Sequence, residues 1–287
     1  MEKNPFKGFI GILIFGAFVL IVLEGSAIAR LYSTYGAGKV INISSDNKAS
    51  SLALNMKDSF KAAANAPAEK VNPLELALSE NKSSITFLCK TFGVNEESVI
   101  ASLRESNSDG NVNPLNIGRV GDASYSSFDR GLVEYLFVYA NNNPGSVNNT
   151  YVPYNGGADY VEKLIKYFSY IYEDVDYLSA ISIGAAESGY YSVKFMLNKN
   201  NIYGGMGSGG LIQFKTIEYG VLSYIKYLHS NYYSKGVTSL EAIGRSYCPS
   251  TDAAGNRVAS PHWLNLIAKA KGHYAGTTKD VKAENLL

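Results

Sequence analysis

The sequence predicts a mainly α-helical protein with one N-terminal membrane helix. Three observations lead there. Apolar residues recur at three- and four-residue spacing through most of the chain from about Pro73 onward. No run alternates with period two over the length of a strand. A single uncharged apolar stretch, Gly8 to Leu23, stands near the start of the chain. At 287 residues the chain has room for one or two domains and a buried core.

The apolar stretch is 16 residues long, with Lys3 and Lys7 before it and Glu24 after it. A helix needs about 17–25 apolar residues to span a bilayer, and extension to Ala29 supplies them. Residues 1–7 then form a cytoplasmic N-terminus, because positive charge stays inside. Residues 8–29 form a single-pass transmembrane anchor contacting the lipid bilayer. The rest of the chain lies on the extracytoplasmic side of the cell membrane. Ala27-Ile28-Ala29 also has the small-x-small form of a cleavage site, so secretion after signal removal stays open. Residues 30–72 are polar and rich in Ser, Asn, Ala and Lys, as a tether would be, with a short helix expected over 51–64.

Helices are expected over 83–91, 96–105, 128–141 and 158–171, and again over 177–187, 216–232, 239–246 and 261–274. Asp176 is a cap for the helix ending at Glu187, and Ser260-Pro261 is a start signal. A small hairpin is expected near 204–214.

The chain also resembles itself. Leu103-Arg-Glu105-Ser106 aligns with Ala185-Ala-Glu187-Ser188. Asn116-Ile117-Gly118 aligns with Asn201-Ile202-Tyr203-Gly204. Tyr125-SSFDR-Gly131 aligns with Phe214-KTIEY-Gly220. Residues 73–150 therefore read as a degenerate helical unit, 151–275 as the working domain, and 276–287 as a flexible tail. The first unit has Glu105 in Glu-Ser-Asn and no aromatic before Gly118.

Composition narrows the function. Net charge is +1, from 26 basic and 25 acidic residues. That balance gives no basic patch for displacing phosphate counterions, so no nucleic-acid partner is expected. Cys89 and Cys248 are the only cysteines, too few for a cysteine zinc site or a disulfide scaffold. His229, His262 and His273 show no metal-ligand spacing, so neither a metal nor a cofactor is expected. Tyrosine is abundant: 22 residues, 20 of them from Tyr125 onward. Most read as helix packing. Tyr190, Tyr191, Tyr203 and Tyr247 fall in or beside the motif segments and read as a ligand-stacking surface.

The sharpest segment is Ala185-Ala186-Glu187-Ser188-Gly189-Tyr190, followed by Asn200-Asn201-Ile202-Tyr203-Gly204-Gly205. An aromatic helix opening with Phe214 and Gly220 comes next, then Arg245-Ser-Tyr247-Cys248-Pro249 and His262-Trp263. This order, over about residues 160–275, resembles the endo-β-N-acetylglucosaminidase family of the lysozyme superfamily, which cuts bacterial peptidoglycan. The resemblance implies a lysozyme-like helical catalytic domain and a peptidoglycan glycan strand as partner. It implies Glu187 as catalytic acid, with Ser188, Tyr190, Asn201, Tyr203, Tyr247 and Trp263 at the substrate. Trp263 has core packing as its alternative reading, and Asn201 a turn-forming role.

The chemistry of the residues agrees. Breaking a glycosidic bond needs a proton on the leaving oxygen, from a carboxyl of raised pKa. Gly189 is a helix stop, which puts Glu187 at the negative end of a helix dipole. Neighbouring tyrosines add desolvation, which pushes the same way. The second carboxylate is missing: no Asp or Glu lies between Glu187 and Glu218. Glu218, Asp252 and the substrate's own N-acetyl group are the three options, with Tyr203 or Tyr247 orienting the acetamido group.

Two other readings remain. Gly210-Leu211-Ile212-Gln213 is similar to the Gly-Leu-Met-Gln run of lytic transglycosylases, which use one Glu in a Glu-Ser motif. The anchor and the degenerate unit also suit a non-catalytic wall-binding component of an envelope machine, with a membrane protein as partner.

Overall fold

The computed structural model describes residues 72–106, 125–277 and 281–287, and the backbone of 13–15 and 18–20. The chain divides into two units, Met1–Lys70 and Val71–Leu287. In the first, β1 (Leu13–Phe15) pairs antiparallel with β2 (Phe18–Leu20), with Leu13 opposite Leu20. Helix is expected there from the sequence. Leu, Ile, Val and Phe suit strands as well as apolar helices, so hydrophobicity alone does not separate the two. The rest of the expected anchor over 8–29, and the tether up to residue 71, lie outside the described residues. Among the described residues no helix is long and apolar enough to cross a membrane.

The second unit is mainly helical. Its first helix, α1 (Pro73–Glu80), is capped by Asn72, whose side chain accepts from the Leu74 N–H, with Pro73 at the first position. Asn72-Pro73 is thus a helix start, in line with the helical periodicity that the sequence shows from about Pro73 onward. Helix α2 (Lys82–Phe92) ends at Gly93 in the left-handed conformation, and α3 (Glu96–Ser106) follows. Ser127 caps α4 (Phe128–Asn142), and α5 (Ala158–Ile171) comes next. Asp176 caps α6 (Tyr177–Ser188), as expected. A single turn, α7 (Lys194–Leu197), leads to the hairpin of β3 (Met206–Gly207) and β4 (Gly210–Leu211). Thr216 caps α8 (Ile217–Asn231), and Ser239 caps α9 (Leu240–Tyr247). A second hairpin pairs β5 (Pro249–Thr251) with β6 (Arg257–Ala259) and leads into α10 (Pro261–Tyr274), capped by Ser260. These strands are too short to show a period-two pattern, which is why the second hairpin is not read from the sequence.

Helix α6 is the central element. Ala180, Ile181, Ile183 and Ala185 have no exposed surface, and α5 and α10 pack against it. A helix apolar on nearly all faces must be enclosed in this way. Leu88, Val99 and Leu132 belong to the same buried cluster as Leu164, Ile181 and Leu222. The segments 73–150 and 151–275 therefore share one core. The sequence analysis expects a flexible tail over 276–287, but the described part of it is tied down. Ala283 and Leu286 are buried in that cluster and Val281 packs against it, which ties the stretch down.

The internal resemblance has structural counterparts. Helices α3 and α6 both end on Glu-Ser, and α4 and α8 both follow a hydroxyl cap and bury a glycine, Gly131 and Gly220. A Cβ on Gly220 would lie 1.8 Å from the Asn200 carbonyl oxygen, so α8 sits directly on the loop that follows α7. The matching loop at Asn116-Ile117-Gly118 lies outside the described residues.

Candidate functional site

Glu187 occupies the last turn of α6, and the helix stops just after it. Ser188 closes the turn: its Oγ donates to the Gly184 carbonyl at 2.7 Å and accepts from the Tyr191 N–H at 3.0 Å. Gly189, Tyr190 and Tyr191 then take three successive positive φ angles of 57°, 55° and 57°. For the two tyrosines this costs about 1–2 kcal/mol each. Tyr191 offsets part of that cost by burying its ring and donating to the Ile181 carbonyl at 2.6 Å. Backbone strain held beside a half-buried carboxyl is typical of a functional site.

Trp263 fixes the carboxyl. Its indole Nε1–H donates to Glu187 Oε1 at 2.9 Å. The other oxygen, Oε2, faces Gly204, where a Cβ would lie only 3.5 Å away. Burial raises the Glu187 pKa above the usual glutamate value, and the Trp263 hydrogen bond opposes that rise in part. The negative end of α6 also disfavours the charged form. Glu187 in turn helps to raise the pKa of Tyr224, Tyr247 and Cys248, which places these groups around it.

An aromatic wall continues from the carboxyl. The Tyr247 ring lies 5.5 Å from that of Trp263, and its hydroxyl donates to the Tyr203 carbonyl at 2.9 Å. The Tyr203 ring stacks on Tyr224 at 5.1 Å and on Tyr227 at 5.8 Å. Asn201 holds this loop in shape. Its Nδ2 donates to the Gly205 and Ile212 carbonyls, and its Oδ1 accepts from the Tyr203 and Gly205 N–H groups. Gly244 lets α9 approach: a Cβ there would lie 2.8 Å from Trp263 Cζ3.

Of the residues that the sequence analysis places at a ligand, the structure gathers Tyr203, Tyr247 and Trp263 around Glu187. Four others, Ser188, Asn201, Tyr190 and Tyr191, have different tasks. Ser188 has no exposed surface and its hydroxyl is spent on the helix end. Asn201 is equally buried, with every polar atom of its amide used by the loop, which is its turn-forming alternative. Tyr191 is buried, so it belongs to the core and not to a stacking surface. Trp263 is only 4% exposed, so it acts as a donor to Glu187 and not as a platform. Tyr190 is exposed and packs edge-on against His273 at 5.4 Å.

Neither candidate second acid engages Glu187. Glu218 accepts from the Tyr160 hydroxyl at 2.8 Å. Asp252 holds the turn between β5 and β6, accepting from the Ala254 and Asn256 N–H groups, and these bonds lower its pKa. Among the described residues no carboxylate contributes to the Glu187 shift. Sequence reasoning misses Gly204 and Gly244 as site residues, though Gly204 lies within the quoted motif. Among the described residues, no three His, Cys, Asp or Glu side chains are gathered so as to hold a metal ion. Cys89 and Cys248 are both free thiols.

The arrangement suits proton transfer. A carboxyl whose pKa burial raises, anchored through one oxygen by an indole N–H, holds its proton to higher pH than a free glutamate does and can release it to a bound group. The chain matches no protein-family model, no curated protein and no solved structure.

Proposed function

We propose that this protein is a membrane-anchored peptidoglycan hydrolase that cuts the GlcNAc-β-1,4-MurNAc bond, with Glu187 as the general acid. The observation that carries the reading is the hydrogen bond from Trp263 to a half-buried Glu187 whose pKa is raised by burial. The ordered motif Glu-Ser-Gly-Tyr, Asn-Ile-Tyr-Gly, Tyr-Cys-Pro and Trp supplies the substrate class.

Among the described residues no second acid engages Glu187, and that favours substrate assistance. In that mechanism the carbonyl oxygen of the substrate's N-acetyl group attacks the anomeric carbon. Glu187 protonates the departing glycosidic oxygen, and a cyclic oxazolinium ion remains. Glu187, now ionised, takes a proton from the water that opens the ring. Tyr203 is better suited than Tyr247 to orient the acetamido group. The Tyr247 hydroxyl is committed to the Tyr203 carbonyl, whereas the Tyr203 hydroxyl has no hydrogen-bond partner among the described residues.

A lytic transglycosylase is the second reading, and the same lone carboxyl favours it. There the sugar's own hydroxyl replaces water. The anchor over residues 8–29 and the extracytoplasmic location are proposed from the sequence, with secretion after cleavage as the other outcome. Mass spectrometry of products from purified sacculi separates the chemistries. Reducing GlcNAc ends support the hydrolase, and 1,6-anhydro-MurNAc ends the transglycosylase. Binding to sacculi without any product supports a non-catalytic wall-binding component.

A further inference from the structure

A second concave site opens where the end of α2, the segment after α4 and the approach to α8 meet. It encloses about 460 Å³, within the range of roughly 300–1,000 Å³ seen for ligand pockets. Its charged group is Lys215. The ammonium donates to the Phe92 carbonyl at 2.5 Å and lies 4.7 Å from the centre of the Tyr219 ring. It has three donors and uses one on a neutral acceptor. None of the ion pairs among the described residues includes it. Burial pushes its pKa below the usual lysine value. A cation partly removed from water without a counter-charge is costly, and an anionic ligand removes that cost.

The rest of the lining suits a peptide. Asn141, Asn149 and Gln213 line the cavity, and their side-chain amides have no hydrogen-bond partner among the described residues. Each amide can donate to a peptide carbonyl and accept from a peptide N–H. Phe214 connects this cavity to the first site: it lines the wall and stacks on the Tyr203 ring at 6.1 Å. The wall is fixed to the site loop as well. Asn200 donates to the carbonyls of both Val152 and Phe214, and the Val152 N–H donates to the Lys215 carbonyl.

We infer that this cavity binds the carboxylate-bearing stem peptide of the wall polymer, with Lys215 taking the carboxylate and the free amides taking the peptide backbone. The inference rests on the peptidoglycan reading of the Glu187 site and adds the peptide to the glycan as a recognised part of the substrate.

The test uses the full-length protein in detergent, carrying Glu187→Gln so that no probe is cleaved. Isothermal titration compares a synthetic stem peptide with its fully amidated form, and with a GlcNAc tetramer that lacks peptide. The free-acid peptide is expected to bind roughly tenfold or more tightly than the amidated one, as a charge-assisted hydrogen bond allows. Lys215→Met should abolish that difference, Lys215→Arg should keep it, and neither should change tetramer binding. Gln213→Ala, at an exposed position, should weaken both peptides alike. Equal affinity for the two peptides, no peptide binding, or a difference that survives Lys215→Met overturns the inference. If wild-type protein still cleaves sacculi in that case, the glycosidase reading stands alone. If sacculi are not cleaved by any form, that reading fails on its own account.

Discussion

The indole of Trp263 holds the carboxyl of Glu187 by a 2.9 Å hydrogen bond across 76 residues of sequence. One partner ends α6 and the other begins α10. Their contact joins the central buried helix to the last long helix of the chain. It also sets the acidity on which the proposed chemistry depends, because burial and this bond pull in opposite directions.

Trp263→Phe keeps most of the packing and removes the donor. The Glu187 pKa should then rise further, since the influence lost is the one that lowers it. Carbon-13 NMR titration of labelled glutamate carboxyls reads this directly, whether or not a substrate is known. The alkaline limb of any activity profile should move to higher pH, because a general acid works only while protonated. A Glu187 pKa that falls or stays constant contradicts the assignment of Trp263 as a positioning residue.

Glu187→Gln should stabilise the fold at neutral pH. The carboxyl pKa is raised on folding, so the folded protein binds more protons than the unfolded chain between the two pKa values. Stability from this group is therefore lost as pH rises through that window. Glutamine carries no charge and can still accept from Trp263. Urea denaturation should show the variant ahead of wild type at pH 7, with the gain gone below about pH 4, beneath the unfolded glutamate value. Lower stability of the variant at pH 7 rejects the burial argument. Such a gain on removing a working group fits the trade between stability and function.

The sequence reveals the frame of this site better than the tasks within it. Ser260-Pro261 marks the start of α10, and Asp176 with Gly189 bounds α6, because caps and stops act within a few residues. The roles of Ser188 and Asn201 are not legible in the same way. A residue that a loop needs in order to fold looks the same in a motif as one that touches a ligand. Only the burial of both, and the partners of each polar atom, separate the two. The pairing of Trp263 with Glu187 has no local signal at all, since it depends on how α10 docks on α6. The tail shows the opposite failure. Val281, Ala283, Leu286 and Leu287 are scattered through a short stretch of polar residues, and Leu287 is exposed, so the pattern does not reveal which of them are buried.

Asn201→Ala should loosen the site loop. Its amide makes four hydrogen bonds, to Gly205, Ile212 and Tyr203, and the substitution leaves buried backbone groups without partners. A loss of at least ~2 kcal/mol is expected in denaturant melts. Hydrogen exchange should quicken at the Tyr203 and Gly205 amides more than in α5. Uniform exchange across the unit would show that Asn201 does not organise this loop in particular.

Gly220→Ala should be more damaging than an alanine in a helix normally is. The added carbon would lie 1.8 Å from the Asn200 carbonyl oxygen, a backbone atom that cannot rotate away. Overpacking of this kind costs about 1–3 kcal/mol, against a small gain in helix propensity. Gly272→Ala, with nothing near its Cβ, is the control and should be neutral or stabilising. Equal effects of the two substitutions in urea denaturation would contradict the close approach of α8 to the loop.

The proposed role of Glu187 is to donate the proton that breaks a glycan bond in the cell wall. Its most direct test is the appearance of new reducing or anhydro ends when full-length protein acts on purified sacculi. Wild-type protein should release them, and Glu187→Gln should release them at least roughly a hundredfold more slowly, the scale of a lost general acid. Release that survives the substitution, or no release by the wild-type protein, contradicts the claim.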